Sequence, residues 1–164
     1  MKAILKNLDA CEEALLWVGD RTIEEAVNDC TREDWMLWLA YKLDVDLKAL
    51  ILAKGHCANI FRHLMKDERS IKAVDTAIAF GKGEATIEEL MDAHAYAYAS
   101  AVRAAYAPFY VSSYDYVFAA ASAHPVSIPD GYHKTYCGVK RENQLLTANI
   151  CRKYLGQFII DKCK

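Results

Sequence analysis

The stretch TREDWMLWLAYKL, residues 31–43, decides the fold class of this chain. From Trp35 to Leu43 the segment is apolar on nearly every side, and such a helix is normally central and buried. The residues before it, Thr31 to Asp34, form a weak capping box, which predicts that the helix starts there. The sequence therefore predicts a central apolar helix with other helices packed around it.

The rest of the chain also favours helices. Of its 164 residues, 54% are hydrophobic and 26% are charged, and there are only seven glycines and three prolines. Apolar stripes and cap signals predict further helices over about 8–18, 22–30, 47–65, 70–80, 87–107 and 139–162, with one long loop at His124–Gly138. We expect a single all-α domain over residues 1–164, a compact bundle of roughly six to eight helices with no significant sheet.

Local signals predict several helix starts and inward faces. Thr22 and Thr86 each begin a Thr-Ile-Glu-Glu capping box, and Asp46 can cap the helix that follows it. Gly55 interrupts the predicted helix 47–65 and would permit a second helix to approach closely. The stripes expected to face inward are Ile87, Leu90, Met91 and His94 in one helix, and Leu146, Ile150, Tyr154 and Phe158 in the last.

The sequence also argues against several function classes. No signal peptide and no apolar run of about twenty residues occur, which predicts a cytoplasmic protein that does not span a membrane. A net charge of −2 predicts no direct nucleic-acid binding. The six cysteines lack CxxC or zinc-finger spacing, so we expect reduced thiols and no metal site. No phosphate-loop, metalloprotease or hydrolase motif occurs, which predicts a protein that is not an enzyme and holds no cofactor.

Charge is unevenly distributed along the chain. Between Asp9 and Asp34 there are nine acidic residues and two arginines, whereas between Lys134 and Lys164 there are seven basic residues and two acidic ones. These segments are either two ordinary solvated faces, or the first is an acidic docking face that mimics nucleic acid toward a basic partner. The candidate partner-binding residues are Glu24, Glu25, Asp29, Glu33 and Asp34.

The tryptophan segment admits two interpretations. Asp34, Trp35 and Trp38 could form a pocket for a ligand or partner, with Arg32 beside it. Alternatively, the two tryptophans are core packing and Asp34 is an acid favoured by the dipole at a helix N-terminus.

A tyrosine-rich stretch supplies a second candidate pocket, made of His94, Tyr96, Tyr98, Arg103 and Tyr110. On the apolar stripe of its predicted helix, His94 is either a general acid or base in a tyrosine-lined cleft, or a buried histidine bonded to one neighbour. The tyrosines could stack on a nucleotide whose phosphate meets Arg103, or they could form an ordinary half-buried seam.

About the first two thirds of the chain resemble the Imm-5-like immunity proteins, a family of small phage and bacterial proteins. The runs that carry the resemblance are ACEEALLWVGDRT at 10–22, CTREDWMLWLA at 30–40 and GEATIEEL at 83–90. The tryptophan segment is the specific part of the match. After Pro108 this chain departs from the family, because an aromatic run replaces long Ala/Asp/Arg-rich helices. The resemblance implies an all-α fold and a protein that neutralises something, and it supplies no catalytic residues.

Two functional expectations follow. The first is a non-enzymatic immunity or inhibitor-type protein that binds a partner protein directly, such as a toxin or a component of a defence system. The alternative is a phage counter-defence protein that sequesters a small molecule or nucleotide in the pocket around His94.

Overall fold

The computed structural model describes residues 1–65, 67–95 and 133–164, and the regular secondary structure of these residues is entirely helical. This confirms the predicted all-α fold. The elements are α1 (Lys2–Asn7), α2 (Glu12–Val18), α3 (Ile23–Asp29), α4 (Glu33–Lys42), α5 (Leu47–Asn59), a 3-10 turn (Arg62–Leu64), α6 (Glu68–Lys82), α7 (87–95) and α8 (His133–Lys162). No helix among these residues is long and apolar enough to cross a membrane.

Helix α4 lies at the centre, as its sequence predicts. Its residues Met36, Leu37, Leu39 and Ala40 are buried, and α8 packs against it as well as against α3 and α5. α8 also holds α3 in place, because the Arg152 guanidinium donates to the carbonyl oxygens that end α3. Nε donates to Val27 O at 3.1 Å, and Nη2 donates to Cys30 O at 2.9 Å. These contacts of α8 therefore fix the C-terminal end of α3.

The predicted inward face of α8 is wrong by one residue. Leu146 and Phe158 are 49% and 45% exposed, whereas the buried positions are Ala148, Cys151, Leu155 and Ile159. One residue turns a helix by 100°, so the neighbouring stripe of larger side chains looks equally apolar in sequence. The small side chains of Ala148 and Cys151 suit the buried position of α8 against α4 and α5. The predicted loop is also too long, because α8 begins at His133; residues 124–132 lie outside the described residues.

The helix predicted over 8–18 begins only at Glu12, as α2, and it is preceded by a short helix, α1, that the sequence analysis did not predict. Asp9 has φ +59° and the Ala10 N–H donates to Leu5 O at 3.0 Å, a geometry that closes α1. Cys11 is then the N-cap of α2. An aspartate tolerates this left-handed conformation better than most residues. The apolar periodicity could not reveal it, because periodicity reports which side chains face the core and not the backbone angles of one residue.

The predicted capping boxes at Thr22 and Thr86 are confirmed. In each box the threonine N–H donates to the glutamate Oε2 at 2.8 Å, and the glutamate N–H donates to the threonine Oγ1 at 3.2 Å. Asp46 caps α5 as expected. The predicted box at Thr31 is wrong, since Arg32 is the N-cap of α4 and makes no side-chain cap hydrogen bond.

Helices α5 and α6 approach each other closely at glycines. A Cβ on Gly55 would lie 2.9 Å from Ile78 Cγ1, and a Cβ on Gly81 would lie 2.4 Å from Leu52 Cβ. The close approach expected at Gly55 is therefore confirmed. Gly81, which the sequence places at the end of its helix, lies inside α6, and Gly83 with φ +82° ends that helix. α5 itself stops at Asn59, earlier than predicted.

Candidate functional site

Helices α1 to α4 and the end of α8 line a partly open cavity of about 530 Å³, which we call the N-terminal cleft. Its apolar wall includes Leu5, Val18, Val27, Leu39 and Ile159, all of them buried. Its polar lining consists of Asp9, Glu13, Arg32 and Asp34. A largely apolar space with a few polar groups is the usual form of a ligand site.

All three tryptophans of the chain line the N-terminal cleft. Trp17 and Trp35 meet edge to face, with ring centroids 5.8 Å apart. Each tryptophan is half-buried, so these rings are neither core residues nor free surface residues. The position of Trp35 and Trp38 on a wall of the cleft supports the first interpretation of the tryptophan segment, a pocket. Their contacts with the hydrophobic core agree equally well with the second interpretation, core packing.

A protein cation lies over each of the three rings. The Arg32 Cζ is 4.5 Å from the Trp35 centroid, the Arg21 Cζ is 4.8 Å from the Trp17 centroid, and the Lys42 Nζ is 5.9 Å from the Trp38 centroid. The ring quadrupole attracts a cation to its face. The indoles of the cleft therefore already act as cation acceptors toward the protein's own side chains.

Arg32 is the only basic side chain that lines the cleft within the described residues, and its charge is compensated. Nε and Nη2 donate to the two oxygens of Asp34 at 2.8 and 2.7 Å, and Nη1 donates to Glu13 Oε1 at 3.2 Å. The Asp34 hydrogen bonds raise the pKa of Arg32, so the guanidinium stays charged. Asp34, a predicted partner-binding residue, is half-buried and serves mainly to hold Arg32.

Three of the predicted partner-binding residues share the exposed side of α3. Glu24 and Asp29 make only long, exposed ion pairs, to Lys164 at 3.8 Å and to Arg21 at 3.7 Å. Glu25 is exposed and closes the capping box, and the Thr22 backbone hydrogen bond lowers its pKa. We call Glu24, Glu25 and Asp29 the acidic face; the buried side of the same helix contributes Ala26 and Val27 to the cleft wall.

Glu33 does not belong to this surface, so that part of the prediction is wrong. Its side chain is buried at 3% exposure, and burial raises its pKa to about 7. It hydrogen-bonds Thr147 of α8, while its Oε2 has no hydrogen-bond partner within the described part of the chain. Position 33 is one residue from Arg32 and Asp34, and the helical rotation turns it away from the cleft toward α8.

Next to Glu33 lies a buried pair of thiols that sequence reasoning did not identify. Cys57 Sγ and Cys151 Sγ are 3.8 Å apart, and Cys57 Sγ is 3.6 Å from Thr147 O. The hydrogen bond with Cys57 and then burial raise the pKa of Cys151 far above its ordinary value. Cys151 is therefore not a nucleophile in this state, because nucleophilic attack needs the thiolate.

The second predicted pocket is largely untested. His94 lies in α7 and is exposed, so its expected place on a buried stripe is wrong; Ala93 is the buried residue, while Ile87 and Met91 are exposed. Tyr96, Tyr98, Arg103 and Tyr110 lie outside the described residues. The nucleotide hypothesis therefore stays a prediction. Within the described ranges no group of three or more His, Cys, Asp or Glu side chains is placed to hold a metal ion.

Sequence reasoning missed the cleft as a space, together with Trp17 and Glu13 on its wall. Both residues stand in the run EEALLWV of α2, and a tryptophan there is as apolar as any core residue. Only the packing of α2 against α4 shows that these side chains meet Trp35 and Arg32.

Comparison with known proteins does not assign the chain to a family. No protein-family model matches the chain, and no curated protein or solved structure is significantly similar to it.

Proposed function

We propose that this protein is a non-enzymatic inhibitor or immunity-type protein that acts by binding a basic partner protein directly. The observation that carries the proposal is the acidic face of α3, where Glu24, Glu25 and Asp29 are exposed on a helix whose buried side lines the N-terminal cleft. An exposed apolar or aromatic recess next to a charged rim is the usual composition of a protein-binding surface.

Electrostatics support a basic partner. Acidic side chains also outnumber basic ones in the cleft lining, where Asp9, Glu13 and Asp34 accompany the guanidinium of Arg32. Charge of one sign on a docking surface speeds encounter with a partner of opposite sign and rejects partners of the same sign. An inhibitor that must find a nucleic-acid-binding toxin or defence protein benefits from both effects.

The sequence resemblance supports the immunity role. The tryptophan segment at residues 30–40 resembles Imm-5-like immunity proteins, and here it forms one wall of the cleft. The proposal therefore includes a phage or bacterial origin, a cytoplasmic site of action, and a toxin or defence-system component as the partner.

The chain provides a matched pair of variants for the test. The same tetrapeptide, Thr-Ile-Glu-Glu, caps both α3 and α7. The test variant carries Glu24→Lys, Glu25→Gln and Asp29→Lys. Glu25 is the N3 residue of the capping box, where glutamine preserves the cap. The control carries the same three kinds of change on α7 at exposed positions, namely Glu88→Lys, Glu89→Gln and Asp92→Lys.

Both variants are used as bait in an affinity capture from host lysate, after circular dichroism has verified their folding. We expect native bait and the α7 variant to retain the same specific protein, and the α3 variant to lose it. Equal retention by the two variants would overturn the acidic face as the binding surface. Glu33 is left unchanged, because a charge reversal at a buried site would unfold the protein.

A further inference from the structure

We infer that the N-terminal cleft binds an apolar group that carries a positive charge, of the arylalkylammonium class. The inference rests on the proposed function for its location, because the cleft and the acidic face share α3, but its test requires no protein partner. The proposed function requires only negative charge near the cleft, whereas an arylalkylammonium ligand would occupy the cleft itself.

The size and the walls of the cleft suit such a group. Its volume of about 530 Å³ lies in the range of small-molecule sites, which bury most of the surface of their ligand. Three indole rings and a set of buried aliphatic side chains form the walls. The apolar part of a ligand would therefore remove aromatic and aliphatic surface from water on several sides.

The charge of the lining selects a cation. Among the side chains of the lining, three carboxylates, those of Asp9, Glu13 and Asp34, accompany one guanidinium. Arg32 is held by Asp34 and Glu13 through three hydrogen bonds, so an anionic ligand would have to displace a carboxylate to reach it. A cation meets less competition, because Asp9 is exposed and Arg32 bonds only Oε1 of Glu13, whose side chain is 70% exposed.

Two further cations adjoin the cleft without lining it. Arg21 and Lys42 lie over Trp17 and Trp38, and Arg21 is also paired with Asp29. They occupy one face of their rings and make no ion pair with Asp9 or Glu13, the two carboxylates that form the rim of the cleft. Their presence shows which kind of charge these indoles accept.

The probe is phenethylammonium, compared with the neutral 2-phenylethanol and the anionic 3-phenylpropionate. Since all three tryptophans of the chain line the cleft, intrinsic tryptophan fluorescence reports on this site alone. We expect a saturable change with phenethylammonium, binding about fivefold weaker with the neutral compound, and no saturation with the carboxylate.

Rim variants test the charge directly. Asp9→Asn and Glu13→Gln together remove two carboxylates, and asparagine keeps the left-handed backbone at position 9. We expect this variant to bind phenethylammonium about fivefold more weakly, with its affinity for 2-phenylethanol unchanged. The control removes two exposed acids outside the cleft lining, Glu12→Gln and Asp20→Asn, and should bind like native protein.

Each result has one meaning. Equal binding of the three phenyl compounds, or equal binding by rim and control variants, would overturn the selection of a cation. Absence of saturation with every compound up to solubility would overturn the cleft as a ligand site. The partner capture with the α3 and α7 variants is independent of this titration, so failure of the inference and failure of the proposed function are distinguishable.

Discussion

The contact between α5 and α6 and the region around the N-terminal cleft differ in how closely their side chains pack. Between α5 and α6, a Cβ on Gly81 would lie 2.4 Å from Leu52 Cβ and 2.8 Å from Leu52 Cα. Around the N-terminal cleft, α1 to α4 leave about 530 Å³ unfilled and keep Trp17 and Trp35 only half-buried. Side chains that border a void lose the dispersion contacts that close packing supplies. The comparison indicates that α5 and α6 contribute stability, while the cleft leaves contacts for a ligand to make.

Helix α8 connects the two regions. Its Cys151 lies 3.8 Å from Cys57 of α5, and two turns later Ile159 lines the cleft. One wall of the cleft is therefore built on a helix that also packs against α5, although the packing around the cleft is incomplete. Substitutions in the two regions should therefore have different consequences for stability.

The largest effect is expected at Gly81. The Gly81→Ala variant forces a methyl group against the Leu52 backbone, and we expect a loss of about 3 kcal/mol in the free energy of unfolding. The matched change is Gly156→Ala in α8, where the new Cβ would lie 3.2 Å from Val27 Cγ1, the end of a side chain that borders the cleft. Val27 can yield into the unfilled space while alanine favours the helix, so this variant should stay within about 0.5 kcal/mol of native.

Urea unfolding followed by circular dichroism measures both variants. A similar loss at the two glycines would show that the helices around the cleft are packed as tightly as α5 and α6. That result would remove the distinction between the two regions.

The second effect concerns the buried carboxylate of Glu33. Its pKa rises from 4.5 unfolded to about 7 in the folded protein, so the folded state binds more protons between these values. The contribution of the protonated Glu33 carboxyl to the free energy of unfolding is therefore complete below about pH 4.5 and is lost as the pH rises through about 7. From this shift we expect a total loss of about 3 kcal/mol.

Glu33→Gln keeps a hydrogen-bonding group beside Thr147 and cannot ionise. The difference in unfolding free energy between this variant and native protein should grow in favour of the variant from pH 5 to pH 8. Other titrating groups, such as His56, cancel in the difference because both proteins contain them. A difference that stays constant with pH would mean that Glu33 is ionised and satisfied in the native core.

A smaller effect is expected where α8 holds α3. Arg152→Met removes the hydrogen bonds to the carbonyls of Val27 and Cys30, and we expect a loss of about 1.5 kcal/mol. The control is Lys153→Met, which removes an exposed cation over Tyr154 and should cost less than about 0.5 kcal/mol. Equal losses in thermal unfolding would show that α3 is positioned by its apolar contacts alone.

Local sequence signals predicted the features that depend on a few neighbouring residues. The capping boxes at Thr22 and Thr86 and the apolar helix after Asp34 follow from side-chain chemistry within one or two turns. The close approach at Gly55 was predictable because a helix-interior glycine has few other uses.

Features that depend on the packing partner were not predictable. Glu33 and Asp34 are adjacent acids in sequence, and only the position of α8 decides that the first is buried and the second lines the cleft. The same reason explains the wrong stripe in α8, where two adjacent rows are apolar and the partner helices select the one with Ala148 and Cys151. An unfilled volume such as the cleft has no sequence signal of its own.

The acidic face of α3 is the centre of the proposed function, and affinity for the captured partner tests it most directly. The partner is titrated against native protein, the α3 variant with Glu24→Lys, Glu25→Gln and Asp29→Lys, and the matched α7 variant. We predict that the α3 variant binds at least about tenfold more weakly, because three favourable charges are removed or reversed, while the α7 variant stays within about twofold of native. An α3 variant with native affinity, or an equal loss in both variants, would contradict the proposed function.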